Sequence, residues 1–220
     1  MPECRRNWLR KANILSTFSP RKKDDQLKTA VSIIKSGGVV ALPFERLFGL
    51  AANALNAKAV ERAALAKGRD TGTPISVIIP DMEHLDLIVA DVPAVAKKLT
   101  DRFWPGPLTL LMTAKSSVPA RLVSSKGLIG VRLPGSSPAF SLAVASGCIL
   151  TATSANKTGA PDALTHKDIE KLSGVDMVVP GRVQGPPGST IVDIMSATPT
   201  VLRQGIVNIS EALREVSNEY

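Results

Sequence analysis

Cysteine and histidine are scarce in this chain, and each scarcity excludes a class of function. Two cysteines stand among 220 residues, Cys4 in a basic stretch and Cys148 in an apolar run. Neither their number nor their spacing makes a disulfide framework or a zinc site. A reducing, cytoplasmic setting is the expectation. His84 and His166 are the only histidines, which leaves a His-built metal site without ligands. No apolar run approaches the roughly 18 residues that read as a membrane span. Walker A, GxGxxG, HExxH and GxSxG patterns are missing as well, so any nucleotide chemistry must use a less common site.

Hydrophobic residues make up 44% and charged residues 21% of the chain, the balance of a globular protein rather than a disordered one. The length suits one sizeable α/β domain or two small ones. A net charge of +8 suggests nucleic acid, but most of it lies in residues 1–23, where Arg5, Arg6, Arg10, Lys11, Arg21, Lys22 and Lys23 face only Glu3. Residues 1–24 therefore read as a flexible basic tail. It could touch RNA without sequence preference, although a solvated tail is the plainer account. Its Arg-rich composition is compatible with a transit peptide, and it has no apolar h-region for secretion.

The body of the chain alternates helical and strand periods. Asp24 or Asp25 can cap a helix carrying Leu27, Ala30, Val31 and Ile34, which Gly37-Gly38 end. Val39–Leu42 reads as a buried strand, residues 43–49 as a loop, and Lys58–Ala66 as a helix. Strands follow at 75–79, 108–112, 128–133, 148–151, 175–179, 190–194 and 201–202. Helices are predicted near 81–84, after Pro93, at 137–146, 167–172 and 210–216. Irregular alternation of this kind predicts a single α/β domain with a mixed, twisted sheet flanked by helices.

The polar candidates are loop and strand-end groups, where open α/β sheets bind ligands. Lys67 and Arg69 leave a helix C-terminus and flank the loop Arg69-Asp70-Thr71-Gly72-Thr73-Pro74. Two cations there can converge on a polyanion, or they can simply complement the helix dipole. Thr153-Ser154-Ala155-Asn156 offers small hydroxyls and an amide to a phosphate or ribose, and equally suits an N-cap or turn. Gly188-Ser189-Thr190 could wrap an anion with backbone N–H groups or be a plain loop. Arg132 and Arg203 close strands, where a guanidinium needs an anionic partner, either an internal carboxylate or a ligand. The turn Phe103-Trp104-Pro105-Gly106-Pro107 reads as packing.

Taken in order, these segments resemble the YrdC-type threonylcarbamoyl-AMP synthase family over residues 25–213, with 214–220 left as a C-terminal tail. The resemblance rests on Pro43–Leu50, Lys67-Gly68-Arg69, Phe103–Thr109, Val131–Pro134, Ser154-Ala155-Asn156, Gly188–Asp193 and Leu202–Gly205. It implies a compact member without the extra C-terminal domain, and a twisted mixed sheet with a concave basic cleft. The implied reaction joins L-threonine, bicarbonate or CO2, and ATP into threonylcarbamoyl-AMP and pyrophosphate. A separate tRNA-modifying transferase would then pass the threonylcarbamoyl group to an adenosine of tRNA. Carried over by position, the family's ATP side falls on Lys67, Arg69, Ser124, Ser154, Asn156 and Arg203. Lys67 and Arg69 are the catalytic candidates. The threonine side falls on Phe44, Arg132, Ala152 and Ser189. Mg²⁺ would travel with the ATP phosphates rather than in a protein cage.

Both reaction intermediates are anionic, which agrees with a chain that has cations and hydroxyls but no nucleophilic triad. The chain departs from the family at Phe44, where a threonine hydroxyl is usual, and at Arg46, which adds a charge. Ile78 replaces a residue often polar in the family, and the segment before Ser189 reads Gly185-Pro186-Pro187-Gly188. Two alternatives stay open: a noncatalytic RNA-binding or ribosome-associated member, and an enzyme that uses an acceptor other than threonine.

Overall fold

The two hydrophobic periods become helices and strands in the computed structural model, which describes residues 20–68, 73–170, 172–196 and 198–217. The first half holds α1 (Pro20–Lys35), β1 (Val40–Pro43), β2 (Phe48–Ala51), α2 (Ala57–Ala66), β3 (Ser76–Ile78), α3 (Leu85–Ile88), α4 (Ala94–Phe103) and β4 (Leu108–Thr113). The second holds β5 (Leu128–Arg132), α5 (Pro138–Ser146), β6 (Leu150–Ser154), α6 (His166–Ile169), β7 (Met177–Val178), β8 (Thr190–Asp193), β9 (Thr200–Arg203) and α7 (Ser210–Ser217). The strands form a 9-stranded mixed sheet in the order β7-β1-β2-β6-β3-β5-β4-β8-β9. Neighbours are antiparallel except β7/β1, β3/β5 and β4/β8. No helix among the described residues is long and apolar enough to cross a membrane.

Local chemistry sets the element ends. Asn56 caps α2 by accepting from the N–H groups of Lys58 and Ala59 at 3.1 and 3.2 Å. Gly68, at φ +58°, then turns the chain in the left-handed region open to glycine. Ser137 caps α5 through the Phe140 N–H, and Gly147 closes it.

Several element bounds differ from the sequence prediction. The first helix starts at Pro20 rather than at Asp24 or Asp25, since proline fits a first turn whose N–H groups lack intrahelical partners. It thus enters the stretch assigned to the tail, most of which lies outside the described residues. α7 (Ser210–Ser217) matches the predicted 210–216 helix to within one residue, and it too enters a stretch assigned to a tail. β2 was absent from the prediction: the loop is only residues 44–47, closed by the Phe44 N–H donating to the Leu47 carbonyl at 3.0 Å. Gly49 inside that strand is a spatial necessity, because a Cβ there would lie 2.4 Å from the Phe44 ring and 3.0 Å from the Thr153 carbonyl oxygen.

The core follows the period of the strands. Val40 and Leu42 pack with Ala30 and Ile34 of α1 and Leu142 of α5, whereas Ala41 turns to Ala59 and Ala63 of α2 on the opposite face. In the other half, Leu108, Leu110, Met112, Ile129, Val131 and Val192 bury themselves with α4 and α7. Each such side chain contributes about 1.5–3 kcal/mol. The intervening positions Thr109, Arg132 and Ile191, with Ser76 and Ala152, line a cleft on the other face. One face of this half is therefore apolar core, and the alternate residues, small or polar apart from Ile191, form a cleft floor.

Candidate active site

The cleft encloses about 460 Å³, within the usual range for small-molecule sites. Its walls come from the 44–49 hairpin, the C-terminus of α2, the end of β6 and the segment 187–191. Its charged lining residues are Arg46, Lys67, Arg132 and Arg203, with the carboxylates Glu45 and Asp162.

Lys67 stands at the end of α2 and is nearly buried, with 6% of its surface exposed. Its ammonium donates to the Ser154 carbonyl and hydroxyl, both at 2.8 Å, and to the Asn156 side-chain oxygen. The Ser154 hydroxyl in turn donates to the same Asn156 oxygen at 2.7 Å. Asn156 is held from behind, its amide donating to the Ala160 carbonyl at 2.6 Å. The predicted trio of Lys67, Ser154 and Asn156 is therefore one cluster, although 87 residues separate Lys67 from Ser154. The strand β6 creates this proximity. Thr153 and Ser154 extend it beyond the predicted Thr151 because they pair with Leu50 and Gly49 of β2, and that pairing overrides their polar, loop-like composition.

A second cluster forms on the opposite wall. Arg203, at the end of β9, donates through Nε and Nη2 to the Ser189 carbonyl at 3.1 and 2.9 Å, and through Nη2 to the Ser189 hydroxyl at 3.0 Å. That hydroxyl also meets the Thr109 hydroxyl at 3.0 Å. Burial and the neighbouring Arg132 charge lower the Arg203 pKa, with Asp162 opposing. Two guanidiniums that repel each other across a cleft favour an anion between them. The turn after β9 must press close to hold this wall: a Cβ on Gly205 would lie 2.3 Å from the Ser189 carbonyl carbon.

The strand-end Arg132 has found an internal carboxylate. Its Nη1 donates to Glu45 Oε2 at 2.7 Å, and the other Glu45 oxygen accepts the Gly135 N–H at 2.8 Å. Of the remaining predicted positions, Phe44 and Ala152 line the cleft. Ser124 does not: it lies in the turn before β5, its hydroxyl accepting the Leu128 N–H at 3.1 Å, at the strand end away from Arg132. Arg69 lies outside the described residues. Among the lining residues left unassigned in the sequence are Ser76, Thr109 and Asp162. Ser76 and Thr109 carry the period-2 signature of polar positions in apolar strands, which could have shown them. Asp162, in a coil, carries none.

These groups gather on the sheet of a recognisable relative. A family model described as telomere recombination, that of Sua5, YciO and YrdC, matches residues 32–205. The chain belongs to the Sua5/YciO/YrdC family. Within the family it is similar to a threonylcarbamoyl-AMP synthase of Pyrococcus abyssi, with 32% identity over 90% of this chain and 59% of that protein. Its fold is similar to that of P. abyssi Sua5 complexed with L-threonine, with a TM-score of 0.81 and 30% identity over 87% of this chain and 57% of the other. It is also similar to E. coli YciO, with a TM-score of 0.74 and 26% identity over 84% of this chain and 92% of the other. The chain thus spans little more than half the length of the two P. abyssi proteins.

Proposed function

We propose that this chain is an L-threonylcarbamoyladenylate synthase. The observation that carries the reading is the convergence of Lys67, Arg132 and Arg203, with the Ser154 and Ser189 hydroxyls, on one cleft in a member of this family. The P. abyssi structure holding L-threonine supports the choice of amino acid.

In this reading the threonine amine attacks CO2 and loses a proton to give a carbamate. A carbamate oxygen then attacks the α-phosphorus of ATP, a P–O bond forms, and the bond to pyrophosphate breaks. Charge stays on oxygens throughout, so positioned cations do the catalytic work. Lys67, held in place by Ser154 and Asn156, supplies a preorganised ammonium to the phosphates, and the family resemblance assigns Arg69 to the same phosphates. Arg203, Ser154 and Asn156 hold the rest of ATP. Arg132 takes the threonine carboxylate, and Ser189 and the backbone at Ala152 line the amino-acid end. Mg²⁺ would arrive with ATP: of the two carboxylates lining the cleft, Glu45 is committed to Arg132 and Gly135 and Asp162 interacts with Arg203, a lining that suits an ion carried on phosphates. The product would serve a separate transferase that modifies tRNA.

A second reading, a different acceptor amino acid, is favoured by Phe44. Its ring packs against Gly49 at the cleft wall and offers no hydroxyl. Pyrophosphate release from ATP, Mg²⁺ and bicarbonate, with L-threonine and with serine as control, tests both. Threonine-dependent release is expected. ATP binding without any response to threonine would end the first reading, and release with another amino acid would establish the second.

A further inference from the structure

Arg46 has a role that its charge alone does not suggest. From the loop between β1 and β2 its guanidinium spreads over the segment 184–187, Nε donating to the Pro187 carbonyl at 2.8 Å, Nη1 to the Gln184 side-chain oxygen at 2.6 Å and Nη2 to the Pro186 carbonyl at 3.4 Å. The contact is reciprocal, since the Gly185 N–H donates to the Arg46 carbonyl at 2.9 Å. Pro186 and Pro187 have no N–H, so this stretch is poor in donors and rich in acceptors. A forked cation is suited to hold it, and a lysine ammonium is not. The held segment leads directly into Ser189, which bonds Thr109 and Arg203. The residue before Arg46 reaches the other way: Glu45 holds Arg132 and Gly135. One short hairpin loop is therefore tied to both walls of the cleft.

We propose that Arg46 is a positioning residue. It straps the 184–188 segment to the hairpin, fixes the separation of Ser189 from Arg132, and so sets the width of the amino-acid end of the cleft. The structural part stands on its own, and the consequence for substrate rests on the synthase reading. The test is hydrogen–deuterium exchange of segment 184–190 in the full chain, for wild type, Arg46→Ala and Arg46→Lys. Losing charge-assisted bonds should speed exchange about tenfold or more in the alanine variant. The lysine variant should stay within about threefold of alanine, because a point charge cannot span three acceptors. Segment 138–146, the α5 helix, serves as the unchanged control. Equal exchange in Arg46→Ala and wild type, or full recovery with lysine, would overturn the strap. In steady-state kinetics the KM for L-threonine should rise about tenfold while that for ATP moves less than about threefold. Faster exchange with an unmoved threonine KM would overturn the positioning role. If wild type releases no pyrophosphate with threonine, the synthase reading fails, and the exchange data still decide the strap.

Discussion

Removal of the Glu45 carboxylate should expose how much this cleft depends on one ion pair. The Arg132 and Glu45 side chains are only 9% and 16% exposed and meet at 2.7 Å. Glu45→Ala would strand a mostly buried guanidinium and deprive the Gly135 N–H of its acceptor. Breaking a fully buried pair costs about 3–5 kcal/mol; cleft water can reach part of this one, so about 2–4 kcal/mol is expected. At about 2–4 °C per kcal/mol for a chain of this size, the melting temperature should fall on the order of 10 °C. Glu45→Gln keeps one acceptor oxygen but turns the other into an NH2 donor facing either Arg132 or the Gly135 N–H, so it should recover only part of the loss, about 1 kcal/mol. The decisive assay is a double-mutant cycle in urea with Glu45→Ala, Arg132→Ala and both. If the pair works as a unit, the double variant should recover about 1.5–3 kcal/mol relative to the summed singles. A coupling under about 0.5 kcal/mol would refute the argument.

Three further outcomes are expected. Lys67→Ala should abolish threonine-dependent pyrophosphate release, since each lost charge-assisted contact costs a factor of about 10 to 150; an unchanged rate would remove Lys67 from the chemistry. Gly205→Ala should destabilise by about 3 kcal/mol, at the upper end for overpacking, because its Cβ would strike backbone at 2.3 and 2.4 Å rather than a movable side chain; an unshifted urea midpoint would contradict this. Asp176 accepts from the Val39 N–H at 2.7 Å and from Arg62 at 2.8 Å. Burial raises its pKa, but the Arg62 bond and charge and the Val39 N–H outweigh it and hold the carboxyl below its ordinary value. Its contribution is therefore complete above the unfolded value of about 3.9 and is lost as pH falls through the lower folded one. Asp176→Asn should flatten stability against pH below about pH 4, and acid limbs that superimpose would count against the assignment.

Helices and most strands were legible because burial repeats locally: Leu27, Ala30, Val31 and Ile34 announce α1, and Val39 to Leu42 announce β1. β2 was not, because Phe48-Gly49-Leu50-Ala51 owes its strand to pairing with β1 and β6 rather than to alternation. The family's ordered segments pointed to Lys67, Ser154, Asn156, Arg132 and Arg203 as individuals. Their partners lie too far along the chain for spacing to reveal. Arg132 meets Glu45 from 87 residues away, and Arg46 meets Pro187 from 141. Sequence also left Arg132 between a ligand and a carboxylate, and the structure supplies the carboxylate without closing the guanidinium off from the cleft.

The place of β6 in the sheet has a consequence for how the chain becomes ordered. β2 and β3 are consecutive strands, yet β6 lies between them and pairs antiparallel with both. Until residue 150 has been synthesised, the β1–β2 hairpin and the β3-β5-β4 group share no ladder. The seam that joins them is the strand carrying Ala152 and Ser154. Long-range pairing of this kind slows folding and leaves strand edges open meanwhile. A nascent chain released before β6 would expose the facing edges of β2 and β3, a template for aggregation, whereas addition of that single strand closes both edges and leaves only the wall carrying Ser189 and Arg203 to follow with β8 and β9.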